Sequence, residues 1–280
     1  MKIFRSADFV TQDSDLQRDK GKSIGFVPTM GALHSGHIAL AEKSIFDGHY
    51  TFFSIFVNPK QFNDPKDFEL YPRTLEKDLD MLYKCGMNAV YCPSPEDVFN
   101  PQYIDAQINL GDIEHVLEGA MRPGHFIGVA RVVKRLFEIV RPDHAYFGQK
   151  DYQQTAVIQK LIEICNFNLN MHICPIIREP NGLAMSSRNE RLSPAGRKRA
   201  GFVYQALLQL KEDVKTNPLT LAIQTARNEI ERHEGTHIEY LEVVDGTHLN
   251  RLKYIEESRK PAALVVVRYE GVRLLDNILL

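Results

Sequence analysis

SIGFVPTMGALHSGH, residues 23–37, carries the reading from which the rest of the chain follows. Its first six residues are too apolar for a half-exposed strand and read as a strand buried on both faces of a parallel sheet. A turn follows, and a helical pattern begins around His34-Ser35-Gly36-His37. Histidines three apart at a helix start share a face. Gly31 and Gly36 let backbone approach a ligand closely, and the first N–H groups of a helix point outward at an anion. In a doubly wound sheet such a strand-to-helix turn lies at the carboxyl edge, where ligands bind. Two imidazoles there suit the phosphate of a nucleotide. Taken alone, the pair reads first as a turn with two surface histidines; a zinc pair is the other alternative, although no further ligand stands at a telling spacing.

Outward from this turn, strands and helices alternate. YTFFSIFV (50–57) is a second buried strand, and GHIALAEKSIFDGH (36–49) before it places Ile38, Ala41, Ile45 and Phe46 on one helical face. Leu75, Leu79 and Leu82 mark another helix, followed by the strand NAVYC (88–92). Residues 126–140 form a strong helix with Val129, Val132, Val133, Leu136 and Val140 inward, stopped by Arg141-Pro142. HAYFG (144–148) is the next strand and DYQQTAVIQKLIEIC (151–165) the next helix. This alternation predicts an α/β fold, a Rossmann-like doubly wound parallel sheet. Near residue 177 the character changes: IIREPNGLAMSSRNERLSP reads as an exposed polar loop or linker. Beyond it come helical stretches at 195–214 and 219–233, then strands at HIEYLEVV, AALVVVRY and VRLLDNILL. The expected division is residues 1–176 as a nucleotide- and substrate-binding domain and 177–280 as a smaller α+β domain.

Composition bounds the function. With 280 residues, 44% hydrophobic and 25% charged, the chain is long enough to bury a sizeable core. A net charge of −2 and a pI near 6.6 argue against a nucleic-acid partner. The first residues contain no apolar signal region, and no run approaches the roughly 18 apolar residues of a membrane span. A cytoplasmic enzyme is expected. Cys85, Cys92, Cys165 and Cys174 form no CxxC pair and read as buried thiols rather than a disulfide framework.

Four further constellations carry chemistry. Ala184-Met185-Ser186-Ser187-Arg188-Asn189 offers two hydroxyls and a fork-shaped guanidinium to phosphates, though a solvated loop has the same composition. In Phe147-Gly148-Gln149-Lys150-Asp151-Tyr152-Gln153-Gln154, Lys150 suits phosphate and Asp151 suits ribose hydroxyls; a helix N-cap with a surface lysine is the plainer alternative. Ile55-Phe56-Val57-Asn58-Pro59-Lys60-Gln61-Phe62 sets Asn58 and Gln61 among apolar residues, either for a small hydroxy acid or for turn chemistry around Asn-Pro. Met121-Arg122-Pro123-Gly124-His125-Phe126 is a turn whose Arg122 faces an anion or solvent.

The pairing of HxGH with Met185-Ser186 resembles the HxGH nucleotidyl-transfer superfamily, with Ser187 where its second signature has lysine. PTMGALHSGH, IFVNPKQF, RPGHF, FGQKDYQQ and AMSSRN, in this order, are together similar to the pantoate–β-alanine ligase family over essentially the whole chain. The resemblance implies ATP-dependent joining of pantoate and β-alanine through a pantoyl-adenylate, with release of AMP and pyrophosphate. It also implies Mg²⁺, a C-terminal domain acting as a lid, and a homodimer. Carried over residue by residue, it implies an ATP site of Met30, Gly31, Ala32, Leu33, His34, Ser35, Gly36, His37, Gly148, Gln149, Lys150, Asp151, Ile177, Met185, Ser186, Ser187 and Arg188. His37 would be the proton donor. Gln61 and Gln154 would hold pantoate, Gln61 would also touch β-alanine, and Asn58 would line the same region. Arg131 departs from the small polar residue usual in that helix and is expected to face away from the pocket. A nucleotidyltransferase and a non-catalytic nucleotide sensor are the competing readings. An NAD-dependent oxidoreductase is disfavoured, because no GxGxxG follows a strand.

Overall fold

The computed structural model describes residues 1–62, 68–99 and 107–280. The chain divides into two compact units, Met1–Gly148 with Val157–Cys174, and Gln149–Ala156 with Pro175–Leu280. In the first unit six parallel strands stand in the order β1-β4-β3-β2-β5-β6. They are β1 (Lys2–Phe4), β2 (Ile24–Thr29), β3 (Tyr50–Ile55), β4 (Ala89–Tyr91), β5 (His144–Gly148) and β6 (Asn170–Cys174). From central β2 the chain builds outward through β3 and β4, then returns to the other side of β2 in β5. That reversal opens a crevice at the carboxyl end of β2. The α/β expectation holds.

Side chains alternate across the sheet, so neighbours along one strand serve opposite layers. Val27, Phe53, Val90 and Tyr146 join Leu33, Leu40, Ala41 and Leu82 in one core cluster. Phe26, one residue from Val27, meets Phe137 of the helix His125–Val140 edge-on, with ring centroids 6.2 Å apart. Phe137 also meets Phe147 at 6.4 Å and Phe167 at 5.4 Å. These aromatics are buried, apart from the half-buried Phe167. Helices therefore cover both faces of the sheet, which is why its strands read as continuous apolar runs.

In the second unit β7 (Thr236–Asp245), β8 (Pro261–Tyr269) and β9 (Val272–Leu279) form an antiparallel sheet. Val243, Val265, Val267 and Leu274 pack with Val203, Leu207 and Leu210 of Phe202–Asp213 and Ile230 of Leu219–Glu231. The helical stretch expected at 195–214 is two helices, Pro194–Arg199 and Phe202–Asp213.

Four sequence readings need correction. Phe46 is 87% exposed, whereas Leu40, Ala41 and Ser44 are buried. At about 100° per residue it ends the helix opposite that face. The strands β1 and β6 and the helix Ala7–Asp19 were not legible as elements. The helix buries Asp13, Ser14 and Gln17, so no apolar stripe announces it. Ser14 Oγ donates to Val140 O at 2.6 Å and Tyr50 OH to Asp13 at 2.9 Å. The polar stretch 176–194 is not a plain exposed loop. Arg178 bridges to Ala184, Met185 N donates to Ile177 O at 2.9 Å, and Leu183, Ala184 and Asn189 are buried. Of the four cysteines only Cys92 is buried; the other three are half-buried. Desolvation still raises all four thiols, Cys92 to about 11, and keeps them poor nucleophiles. Among the described residues no helix is long and apolar enough to cross a membrane.

Candidate functional site

The turn after β2 is built from its backbone outward. Thr29 Oγ1 donates to Ser54 O at 2.9 Å and accepts from Gly31 N at 3.2 Å, fixing the strand exit. Gly31 (φ 84°) and Ala32 (φ 51°) are both left-handed. A Cβ at Gly31 would stand 3.0 Å from Asp78 Oδ2 and Ile55 Cγ2, so a side chain there would be crowded as well as strained by φ. Ala32 N and Leu33 N each donate 2.9 Å bonds to the two oxygens of Asp78, and Thr74 Oγ1 donates to Oδ1 at 3.0 Å. Asp78 is 1% exposed.

His34 caps the helix Ser35–Phe46, accepting at Nδ1 from Gly36 N at 3.2 Å, and His37 Nδ1 accepts from His34 N at 3.4 Å. The rings stack with centroids 4.0 Å apart. With each Nδ1 acting as acceptor, a neutral ring carries its proton on Nε2 and offers a donor there. Met30, Ala32, His34, Gly36 and His37 are half-buried, Gly31 and Leu33 buried, and Ser35 exposed.

Behind this turn lies a buried amide pair. Asn58 (1% exposed) donates through Nδ2 to Gln61 Oε1 at 3.3 Å and to Gly128 O at 3.1 Å. Its Oδ1 accepts from Lys60 N at 3.2 Å. Gln61 is also buried, and its Nε2 reaches Met30 Sδ at 2.7 Å. His125 Nδ1 lies 2.8 Å from Gln61 O and must donate to it, since a carbonyl only accepts. A neutral His125 then accepts at Nε2 from Arg122 Nη1 at 3.2 Å. Arg122 thus meets a histidine, where sequence left an anion or solvent open. The structure brings Met30, Asn58, Gln61 and the Arg-Pro-Gly-His turn together. Arg131, further along the same helix, is half-buried.

Gly148 ends β5, and the following residues belong to the second unit. Gln149 Nε2 donates to Asn277 Oδ1 at 3.0 Å, while Asn277 Nδ2 donates to Gln149 O at 3.0 Å and Lys150 O at 2.9 Å. Lys150 Nζ stands 3.3 Å from Asp151 Oδ1. Tyr152 OH donates to Gly246 O at 3.2 Å, fixing the start of the helix Tyr152–Cys165, where Gln154 is half-buried. In the same unit Ser186 Oγ accepts from Arg188 N at 3.2 Å and caps the short turn Ser187–Arg191. Asn189 Nδ2 donates to Ala184 O at 3.0 Å and to Glu179 at 2.9 Å. Arg178 pairs with both oxygens of Asp276 at 2.6 and 2.8 Å and lies 3.5 Å over the Tyr204 ring. Ile177 is 37% exposed, and Met185 through Arg188 are half-buried.

Asp78 and Asn277 support these motifs and were not read from sequence, and His125 was quoted within its turn without a role. Asp78 left a trace: it interrupts the apolar face of Leu75, Leu79 and Leu82 on the helix Leu75–Lys84.

A family model described as pantoate–β-alanine ligase matches residues 2–279. A pantothenate synthetase of Christiangramia forsetii is 39% identical over 100% of this chain and 99% of its own. The crystal structure of the Thermus thermophilus pantothenate synthetase superposes with a TM-score of 0.91 at 34% identity, covering 99% of each chain. That of a pantoate–β-alanine ligase from Francisella tularensis, complexed with beta-gamma ATP and β-alanine, gives a TM-score of 0.77 at 32% identity, covering 100% of this chain and 97% of the other.

Proposed function

From the premise that this chain belongs to the pantoate–β-alanine ligase family, we propose that it joins pantoate to β-alanine through a pantoyl-adenylate, releasing AMP and pyrophosphate. The observation that carries the reading is the turn after β2, whose two imidazoles are locked as Nε2 donors beside the buried Asn58–Gln61 pair. The relative bound to ATP and β-alanine supports the choice of substrates.

In the first step a pantoate carboxylate oxygen attacks the α-phosphorus of ATP, and the bond to the β-phosphate oxygen breaks. Negative charge grows on the α-phosphoryl oxygens and on departing pyrophosphate. Fixed cations and N–H donors lower that barrier, and one such donor is worth about 10²–10³ in rate. His34, His37, Lys150, Ser186, Ser187 and Arg188 supply them, with Met30–His37, Gly148–Asp151, Ile177 and Met185–Arg188 holding ATP. An Nε2–H donates, so His37 acts as a donor to phosphate or leaving group. In the second step the neutral β-alanine amine attacks the acyl carbon of the mixed anhydride, AMP leaves, and the amine loses a proton. Gln61, Gln154 and Asn58 hold pantoate in place for both steps, and Gln61 also meets β-alanine.

Mg²⁺ fits this donor set as an ion carried on the triphosphate, where it would offset the charge of the leaving group. Asp78, which touches the turn, has both oxygens committed to backbone N–H groups. Among the described residues no group of three or more His, Cys, Asp or Glu could hold a metal ion. The second unit as a lid, a homodimer and a cytoplasmic location belong to the same reading.

The partial reaction tests it. With pantoate and Mg²⁺ but no β-alanine, the enzyme should exchange labelled pyrophosphate into ATP. Absence of pantoate-dependent exchange, in protein shown to bind ATP, would overturn the adenylate.

A further inference from the structure

We propose that Asp78 is a positioning residue for adenylation, acting through the backbone of the turn after β2 to hold His34 and His37 in their donor tautomer. This deepens the reading above and rests on it.

The coupling is a continuous chain of bonds. Gly31 and Ala32 both adopt left-handed φ, and Ala32 carries a Cβ that disfavours this region. A strained turn persists only where its surroundings over-determine it. Here the determinant is one carboxylate: Ala32 N donates to Oδ2 and Leu33 N to Oδ1. His34 follows Leu33 directly, gives its N–H to His37 Nδ1 and takes that of Gly36 at its own Nδ1. A shift of the backbone at 32–33 would therefore pass to both rings.

Asp78 is itself held. Its N–H donates to Thr74 O at 2.9 Å within the helix, and the Thr74 hydroxyl donates to Oδ1 at 3.0 Å. Three donors meet this carboxylate, so the site calls for a group that only accepts. Asn at 78 has the same shape but places an NH₂ against one of those donors. The three donors that meet Asp78 all belong to the protein's own turn and helix. Its effect runs through the turn.

The expected result for Asp78→Asn is a fall of about tenfold to a hundredfold in the rate of pantoate-dependent pyrophosphate exchange, the scale of a misplacement near 1 Å. Pantothenate formation from supplied pantoyl-adenylate and β-alanine should stay within about twofold of wild type, because positioning of the amine, not a phosphate donor, governs that step. In Asp78→Asn shown to be folded, an equal fall in both rates would overturn the proposal, as would unchanged exchange. Should Asp78→Asn fail to fold, Thr74→Val loosens the same carboxylate and should show the same split at smaller amplitude; no split overturns the proposal. Ring ¹⁵N shifts give a readout free of turnover. Wild-type His34 and His37 should be Nε2–H tautomers, and the variant should show a mixture. An unchanged tautomer overturns the role of Asp78 even if wild-type enzyme fails to exchange pyrophosphate, a failure that would instead sink the adenylate reading.

Discussion

Gln61 shows what a single side chain does here and how much of it sequence can reveal. Its place among apolar neighbours marked it as a binding group. Its bonds to Asn58 and Met30, and the bond from His125 to its carbonyl, come from tertiary contact. We expect Gln61→Ala and Gln154→Ala each to weaken pantoate binding by about 1–3 kcal/mol, the cost of an unpaired polar partner in a pocket with apolar walls. ATP binding should change much less. Isothermal titration of each ligand decides it, and equal losses for ATP would place the glutamines elsewhere. The motif residues were legible because glycine, histidine and amide spacing records local geometry. The contacts of Asp78, His125 and Asn277 were not, because their partners lie 46, 64 and 128 positions away.

Among elements, the helix His125–Val140 announced itself by an apolar stripe, whereas Ala7–Asp19 buries polar groups and stayed silent. The helix His125–Val140 touches the turn Pro59–Gln61 through Gly128. A Cβ there would stand 2.4 Å from Lys60 O and 2.9 Å from Gln61 Cα, both backbone atoms that cannot swing aside. Gly128→Ala should therefore push helix and turn apart, at a cost of about 1–3 kcal/mol for overpacking. It should also lower pantoate affinity, because Asn58 loses its bond to Gly128 O. Urea denaturation and pantoate titration on the same protein check both effects. Unchanged stability would mean that the helix moves more freely than this contact allows.

Over the whole molecule, the parallel sheet was legible from alternating strands and helices, but its acid response was not. His49 precedes β3, His144 opens β5 and His172 lies in β6, so these rings gather at the end of the sheet opposite the turn after β2. His49 and His144 stack at 4.0 Å, His144 Nδ1 lies 2.9 Å from His172 Nε2, and Tyr146 stacks on His172 at 4.5 Å. Tyr146 OH donates to Asp47 at 2.8 Å, and Lys43 pairs with Asp47. Burial, then the neighbouring His144, lowers both His49 and His172 below the usual 6.5, despite Asp47 nearby. The folded state then binds fewer protons than the unfolded chain once pH falls below about 6.5. Their contribution is complete above that value and is lost as pH falls from it toward the depressed folded values. Carboxylates such as Asp13 and Asp47, lowered from 3.8, act only in stronger acid. Between pH 7.5 and 5.5 the melting temperature should fall, by about 2–4 °C for each kcal/mol lost at this size. His49→Gln with His172→Gln should flatten that slope in calorimetric melts. An unaltered slope would assign the acid sensitivity to other groups.

The clasp of Asn277 on Gln149 and Lys150 has a consequence for the order of events during synthesis. The ribosome delivers the strand–turn–helix segment around Lys150 long before it reaches the last strand, whose Asn277 fixes the two carbonyls and one side chain of that segment. A nascent chain can therefore complete its six-stranded sheet and still lack the fixed backbone beneath Lys150. Messages cut short before codon 277 would yield proteins with the Gly148–Asp151 segment encoded in full and its backbone unanchored.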